Sequence, residues 1–258
     1  MMLVWRTTAE WRARRRALAG HTIGFVPTMG ALHQGHASLV ERCRRENEIA
    51  AVSIFVNPSQ FNDPSDLDRY PRTLEKDLAL LESLGTDEVL APDAREMYPN
   101  GYRFRVAPDE ADRVLEGVCR PGHFEGVLTI VLKLLNLVAA DRAYFGEKDF
   151  QQLRIVSDMA RDFFLNTEIV GCPTLREPSG LAMSSRNALL PPEDRERAAQ
   201  LYRILTQSSS PAQAKEELEA RGFAVEYVEE RWGRRLAAAT LGRVRLIDNV
   251  PAADAARA

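Results

Sequence analysis

Two histidines three residues apart form the densest chemical signal in this chain. The string PTMGALHQGH, residues 27–36, follows a short apolar run and precedes a helical pattern, with Gly35 lying between His33 and His36. At a helix start the backbone N–H groups lack intrahelical partners and the dipole is positive, so such a turn suits phosphate. Two imidazoles there can donate hydrogen bonds to phosphoryl oxygens as charge builds in a transition state. The string contains neither GxGxxG nor GxxxxGK[ST], which sets aside the dinucleotide fingerprint and the Walker loop. A plain helix start, with one histidine capping and one exposed, is the alternative. A zinc pair is a third reading, weakened because no Cys, Asp or Glu cluster nearby supplies further ligands.

Two other strings carry related chemistry. In Gly146-Glu147-Lys148-Asp149-Phe150-Gln151-Gln152, Lys148 is a point cation placed where a β- or γ-phosphate could sit, and Gln152 falls one turn into the next helix. Read alone, a Glu-Lys-Asp run at a helix start is as well explained by capping and solvated charge. Leu181-Ala182-Met183-Ser184-Ser185-Arg186-Asn187 combines hydroxyls with a guanidinium, a phosphate clamp of low individual specificity. By itself it also fits a polar linker with an Asn turn.

The elements that must position these residues alternate short β-branched runs with helical patterns, the signature of a parallel α/β sheet. Strands are expected at residues 23–26, 50–56, 88–90, 142–145 and 168–170, and helices at 37–46, 73–84, 127–138 and 151–163. Residues 50–56 are apolar without a break, as in a strand covered on both faces. Residues 127–138 are apolar almost all round, which places that helix inside the fold or against a second subunit. A parallel sheet puts all strand C-termini on one edge, so 27–36, 146–149 and 183–186 are expected to converge on one nucleotide. Composition changes near Arg176, and the chain is divided into domains 1–175 and 176–258. The second is small and α+β, with helices at 193–205 and 212–220 and strands at 224–228 and 244–247. Two long loops, 57–72 and 92–126, are where substrate contacts are sought; residues 104–106 are a weak strand-like patch in the second.

Bulk properties narrow the function. With 34 Lys+Arg against 37 Asp+Glu the net charge is −3, which offers no electrostatic footprint for nucleic acid. Arg12, Arg14, Arg15 and Arg16 are taken as a solvated helix face. Cys43, Cys119 and Cys172 are too few and scattered for a disulfide framework, with Cys43 assigned to a core. The first residues turn charged before any apolar segment develops, and no run is long and apolar enough for a bilayer. A cytoplasmic protein without a signal peptide, membrane or nucleic-acid partner is expected.

His33-Gln34-Gly35-His36 together with Met183-Ser184-Ser185-Arg186 resembles the HIGH and KMSKS-type pair of the nucleotidylyltransferase superfamily. The strings PTMGALHQGH, SIFVNPSQF, YPRT, RPGHFEGV, FGEKDFQQL and GLAMSSRN resemble the pantoate–β-alanine ligase family in particular, in order and with similar spacing over residues 23–190. The resemblance implies a Rossmann-like N-terminal domain with a smaller α+β C-terminal domain. It implies an enzyme that binds ATP and Mg²⁺, adenylates the carboxylate of (R)-pantoate with release of pyrophosphate, and passes the acyl group to the amine of β-alanine. By similarity, Met29, Gly30, His33, Gly35 and His36 lie along the ATP, with His36 as proton donor. Gly146, Glu147, Lys148 and Asp149 also meet the nucleotide, with Lys148 on the phosphates and Asp149 toward the ribose. Leu175 passes near the adenine, and Met183, Ser184, Ser185 and Arg186 close over the triphosphate. A homodimer is also implied.

Gln60 and Gln152 resemble the pair that holds pantoate, with Gln60 meeting β-alanine as well. Neutral amides grip oxygens without trapping the carboxylate in a salt bridge, so it stays able to attack the α-phosphorus in line. Asn57, Tyr70 and Arg120 are secondary candidates, and loop packing explains Tyr70 equally well. The acyl-adenylate must be kept from water, and the second domain is the natural lid. The stretch between Ser208 and Val244 is shorter than the family usually has, and Cys119 takes no role. A different HIGH-type enzyme acting on a phosphate-bearing acceptor would want Lys or Arg in place of Gln60 and Gln152. A regulatory nucleotide binder would be expected to lose His36, Lys148 or Arg186, and all three are present. Nucleic-acid binding through Arg12–Arg16 is open to a test of salt dependence.

Overall fold

The computed structural model describes residues 1–109 and 113–252, so the part of the expected second domain at 253–258 lies outside the described residues. Proximity of Cα atoms divides the chain into two units. One comprises Met1–Gly146 with Gln151–Cys172, the other Glu147–Phe150 with Pro173–Ala258. The sequence places one boundary after residue 175; in the structure the second unit takes up the chain at Pro173 and adds the short Glu147–Phe150 segment.

The first unit is built on six parallel strands: β1 (Leu3–Trp5), β2 (Ile23–Thr28), β3 (Ile49–Ile54), β4 (Glu88–Leu90), β5 (Arg142–Gly146) and β6 (Glu168–Cys172). Their spatial order is β1-β4-β3-β2-β5-β6. The chain builds outward from β2 through β3 and β4, then returns to add β5 on the other side. The crevice between β2 and β5 at their carboxyl ends is therefore the switch point where such sheets bind ligands. β2 and β3 are apolar on both faces because both faces are covered. Ile23, Phe25 and Ala51 enter one core with residues of α1 (Thr8–Ala17), α7 (His123–Val138) and α8 (Phe150–Asp162). Val26, Ala50, Val52 and Ile54 enter the other with residues of α2 (Gln34–Glu46) and α4 (Leu74–Ser83).

Helix α7 accounts for the apolar stretch 127–138. It is consumed by the core of its own unit, with Val127, Leu128, Ile130, Val131, Leu134, Leu135 and Val138 all buried. The arginine face of α1 is not merely solvated, as the sequence suggested. Arg14 pairs with the buried Glu88 at 2.6 Å, and Arg15 donates to Val138 O and Ala139 O at 3.0 and 2.9 Å. Arg15 thus satisfies carbonyls left over at the C-terminus of α7, where a cation also suits the helix dipole. Arg12 and Arg16 are exposed.

The long loops contain short helices. Residues 57–72 form the 3-10 turn Pro58–Gln60 and α3 (Pro64–Arg69), and the second loop holds α5 (Ala94–Met97) and α6 (Glu116–Cys119). No strand forms at 104–106; Val106 instead donates its N–H to Thr129 Oγ1 of α7. Cys43 and Cys172 are buried, and Cys119 is half-buried rather than a core residue.

The second unit is an antiparallel sheet, β7 (Ala224–Arg231), β8 (Arg234–Leu241) and β9 (Val244–Pro251), with α9 (Pro192–Ala198), α10 (Gln200–Gln207) and α11 (Pro211–Ala220). Its core joins Leu201, Leu205 and Leu218 to Ala237, Leu241 and Leu246. The single helix expected at 193–205 is two, meeting at Ala199, and β8 has no counterpart among the expected strands. Ala237, Ala238 and Ala239 pair with β9 although alanine favours helices; burial of the pleated face overrides that propensity.

Candidate active site

The turn after β2 is held by two devices. Gly30 and Ala31 both have positive φ, 78° and 50°, which reverses the chain directly after the strand. Asp77 of α4, buried at 3% exposure, then clasps the reversed backbone. Its carboxylate accepts Ala31 N–H at 3.0 Å and Leu32 N–H at 2.8 Å, and the Thr73 hydroxyl at 3.2 Å. A Cβ on Gly30 would stand 3.0 Å from that carboxylate, so glycine is needed for space as well as for φ.

The two histidines cap α2 reciprocally. His33 is the N-cap and its Nδ1 accepts Gly35 N–H at 3.1 Å, while His36 Nδ1 accepts His33 N–H at 3.3 Å. Their rings lie 4.1 Å apart. A nitrogen that accepts a backbone N–H carries no proton, so in both neutral rings the proton sits on Nε2. The alternative raised by the sequence has one histidine capping and one exposed; here both cap and neither is exposed, and each ring's proton is on Nε2, a donor of the type phosphate takes. Packing sets the helix position: a Cβ on Gly24 of β2 would meet Asn47 Nδ2 at 2.4 Å and Cys43 Sγ at 2.5 Å.

Gln60 closes the 3-10 turn Pro58–Gln60 and touches this region. Its Nε2 lies 3.1 Å from Met29 Sδ, and its Oε1 accepts from Asn57 Nδ2 at 3.0 Å. Asn57 is buried, and its second bond runs to Gly126 O of α7 at 3.1 Å. Tyr98 donates to Asn57 Oδ1 at 2.8 Å, and burial pushes its phenol up to about 12. His123, buried, hydrogen-bonds Gln60 O through Nδ1 at 2.8 Å and faces Arg120 Nη1 through Nε2 at 3.0 Å. Because the carbonyl can only accept, His123 carries its proton on Nδ1 and presents a lone pair to the guanidinium. Tyr70 packs edge-on against Phe61 with centroids 5.5 Å apart. Of the neighbouring amides on α8, Gln151 is committed to Glu116 N–H and Val114 O, each at 3.1 Å, whereas Gln152 is half-buried.

The first unit thus carries Met29, Gly30, His33, Gly35, His36, Gln60, Gly146 and Gln152. The second carries Glu147, Lys148, Asp149, Leu175, Met183, Ser184, Ser185 and Arg186. Within it, Glu147–Asp149 forms a 3-10 turn in which Lys148 Nζ lies 3.8 Å from Asp149. Leu175 O accepts Met183 N–H at 3.0 Å, which joins the two ends of the intervening loop. Ser184 caps the 3-10 turn Ser185–Leu189 by accepting Arg186 N–H at 3.2 Å. Asn187 ties that turn to Glu177 and Ala182 O at 3.1 and 3.0 Å. Sequence reasoning missed Asp77, and it quoted His123 without giving it a part. No local pattern marks Asp77, whose backbone partners in the turn lie more than forty residues upstream. Among the described residues no group of three or more His, Cys, Asp or Glu could hold a metal ion, and no helix is long and apolar enough to cross a membrane.

A parallel sheet whose switch-point strand runs into a reciprocally capped histidine pair at a helix start is an arrangement suited to a nucleotide-binding enzyme. A family model described as pantoate-beta-alanine ligase matches residues 3–251, and the chain belongs to that family. The pantothenate synthetase of Bdellovibrio bacteriovorus is 50% identical over 250 residues, covering 97% of this chain and 99% of that protein. A crystal structure of pantoate-beta-alanine ligase from Francisella tularensis, complexed with beta-gamma ATP and beta-alanine, superposes with a TM-score of 0.93 at 42% identity, covering 97% of this chain and 98% of that one. The pantothenate synthetase structure from Thermus thermophilus gives 0.89 at 45% identity, covering 97% and 99%. The Bdellovibrio alignment spans nearly both chains without room for a longer segment, so the short stretch between Ser208 and Val244 is shared with that relative.

Proposed function

We propose a residue-level course for the ATP-dependent ligation of (R)-pantoate to β-alanine by this chain. ATP enters as its Mg²⁺ complex. The ion would be held by phosphate oxygens as part of the substrate, where it would neutralise charge. His33 and His36 donate from Nε2 to the phosphates, with Lys148, Ser184, Ser185 and Arg186 adding charge and hydroxyl contacts. Gln60 and Gln152 hold pantoate. Its carboxylate oxygen attacks the α-phosphorus, the bond to the β-phosphate oxygen breaks, and pyrophosphate leaves as His36 donates a hydrogen bond from Nε2 to the departing charge. The amine of β-alanine then attacks the acyl carbon of pantoyl-adenylate. It loses a proton, the acyl–phosphate bond breaks, and AMP and pantothenate leave.

The observation that carries this reading is the reciprocal cap, which presets both imidazoles as Nε2 donors before any ligand arrives. The contact between Gln60 and Met29 supports it by joining the acid-binding candidate to the nucleotide-binding turn. Three cysteines, too few and scattered for a disulfide framework, suit the cytoplasm. The homodimer implied by the resemblance would need a surface other than α7, which is buried in its own unit.

AMP and pyrophosphate formation from ATP, Mg²⁺ and (R)-pantoate, with and without β-alanine, tests the reading in wild type and His36→Ala. AMP release is expected to need both substrates and to fall about a hundredfold or more in the variant. Turnover that survives in His36→Ala would remove the histidine from the chemistry.

A further inference from the structure

Strand β9 carries Asp248 and Asn249 side by side, both buried, and neither belongs to the residues assigned above. Asn249 Nδ2 donates to Glu147 O at 2.8 Å and to Lys148 O at 3.0 Å. Both donors of the amide are therefore committed to consecutive carbonyls of the turn that bears Lys148. Arg234 of β8 completes the attachment. It pairs with the Glu147 carboxylate at 2.5 Å and lies 4.7 Å over the Phe150 ring. Asp248 holds Arg176 through two bonds of 2.6 and 2.9 Å, and Arg176 bridges to Ala182 at the base of the loop leading to Ser184. β9 also packs against the Ser185–Leu189 turn.

We propose that Asn249, assisted by Arg234, is a positioning residue that sets the Lys148 turn for phosphate, with β9 as the common template for that turn and for the Ser185–Arg186 segment. The inference rests on the phosphate role proposed for Lys148. Two physical arguments carry it. Asn249 Oδ1 is buried and has no hydrogen-bond partner, a cost that an apolar side chain would avoid. The amide makes sense only for what its Nδ2 holds. A cleft of about 390 Å³ borders Glu147, Arg234 and Asn249 on one side of the turn. The two carbonyl bonds and the arginine pair are the polar contacts that fix where the turn sits.

The test is steady-state kinetics on the full-length enzyme for Asn249→Ala, Asn249→Asp, Lys148→Ala and the double variant Asn249→Ala/Lys148→Ala, with thermal midpoints measured alongside. Asn249→Asp keeps the shape but cannot donate to the carbonyls. Either Asn249 variant is expected to lower kcat/KM for ATP about tenfold or more, with the KM for pantoate unchanged within about twofold. On the Lys148→Ala background, Asn249→Ala is expected to add less than about twofold, because its effect passes through the lysine. Multiplicative effects, or equal losses toward all substrates that track the thermal midpoint, would overturn the tether while leaving Lys148 on the phosphates. A Lys148→Ala enzyme with unchanged ATP kinetics would instead overturn the phosphate role, and the inference with it. Should Asn249→Ala fail to fold, Arg234→Gln releases Glu147 from a partly exposed pair and is expected to shift ATP kinetics in the same direction.

Discussion

At the residue scale, the site is governed by which lone pairs are already occupied. His33 and His36 accept backbone N–H groups at Nδ1, and Asp77 accepts two more from the turn just upstream. Asp77→Ala should therefore act through the turn. Two half-buried N–H groups lose their acceptor, which costs about 1–3 kcal/mol. Displacing the turn should also lower kcat/KM for ATP about tenfold or more. Denaturant melts paired with ATP and pantoate kinetics check this; a stability loss with unchanged ATP kinetics would reduce Asp77 to a structural part. Glu46 supports a prediction in pH. The Arg42 guanidinium, and after it the Tyr144 hydroxyl, hold its carboxyl below the usual 4.5. A depressed folded value means that its contribution is present above the unfolded value and is lost as pH falls through the folded one. Urea midpoints across the acid range should fall less steeply in Glu46→Gln than in wild type; parallel curves would show that the pair contributes nothing measurable.

At the element scale, one close approach decides where Gln60, the residue proposed to hold the acid substrate, sits. Gly126 of α7 abuts the Pro58–Gln60 turn so tightly that a Cβ would lie 2.3 Å from Ser59 O and 2.7 Å from Gln60 Cα. Gly126→Ala must push the turn outward, at a cost of about 1–3 kcal/mol for the overpacked contact. It should raise the KM for pantoate about tenfold while the KM for ATP moves less than about twofold; equal shifts for both substrates would count against a local effect. The glycine is visible in the string RPGHFEGV, but the partner it makes room for is not. The same divide runs through the chain. Strands such as β2 and β3 were legible because burial on both faces writes continuous apolar runs. β8 was not, because its buried alanines carry no strand signature and its place is fixed by β9. The histidine pair was legible as chemistry. Its tautomers follow from local cap bonds whose direction spacing alone does not give, whereas the Asp77 clasp and the Asn249 attachment are long-range hydrogen bonds between residues that no local spacing connects. Arg14 and Arg15 looked like solvated charge because their partners, Glu88 and the end of α7, lie far along the sequence.

At the scale of the whole molecule, the apolar clusters divide as the units do. Two clusters on the parallel sheet draw on the first unit, and a third, drawn from Leu181 to Val250, belongs to the second. The proposed phosphate-binding residues divide likewise: the histidines stand on the first unit, and Lys148, Ser184, Ser185 and Arg186 on the second. Stability of the second core should therefore bear on ATP binding through the placement of the Lys148 turn. It should not bear on the Gln60 region. Leu218 of α11 is fully buried in that core, and its truncation to alanine should cost about 2–5 kcal/mol. Hydrogen exchange on Leu218→Ala is expected to show lost protection in β7, β8 and β9 ahead of β2, β3 and β5. The KM for ATP should rise with temperature well before the KM for pantoate does. Uniform loss of protection across both sheets would show that the two cores unfold as one, and then the ATP and pantoate effects would rise together.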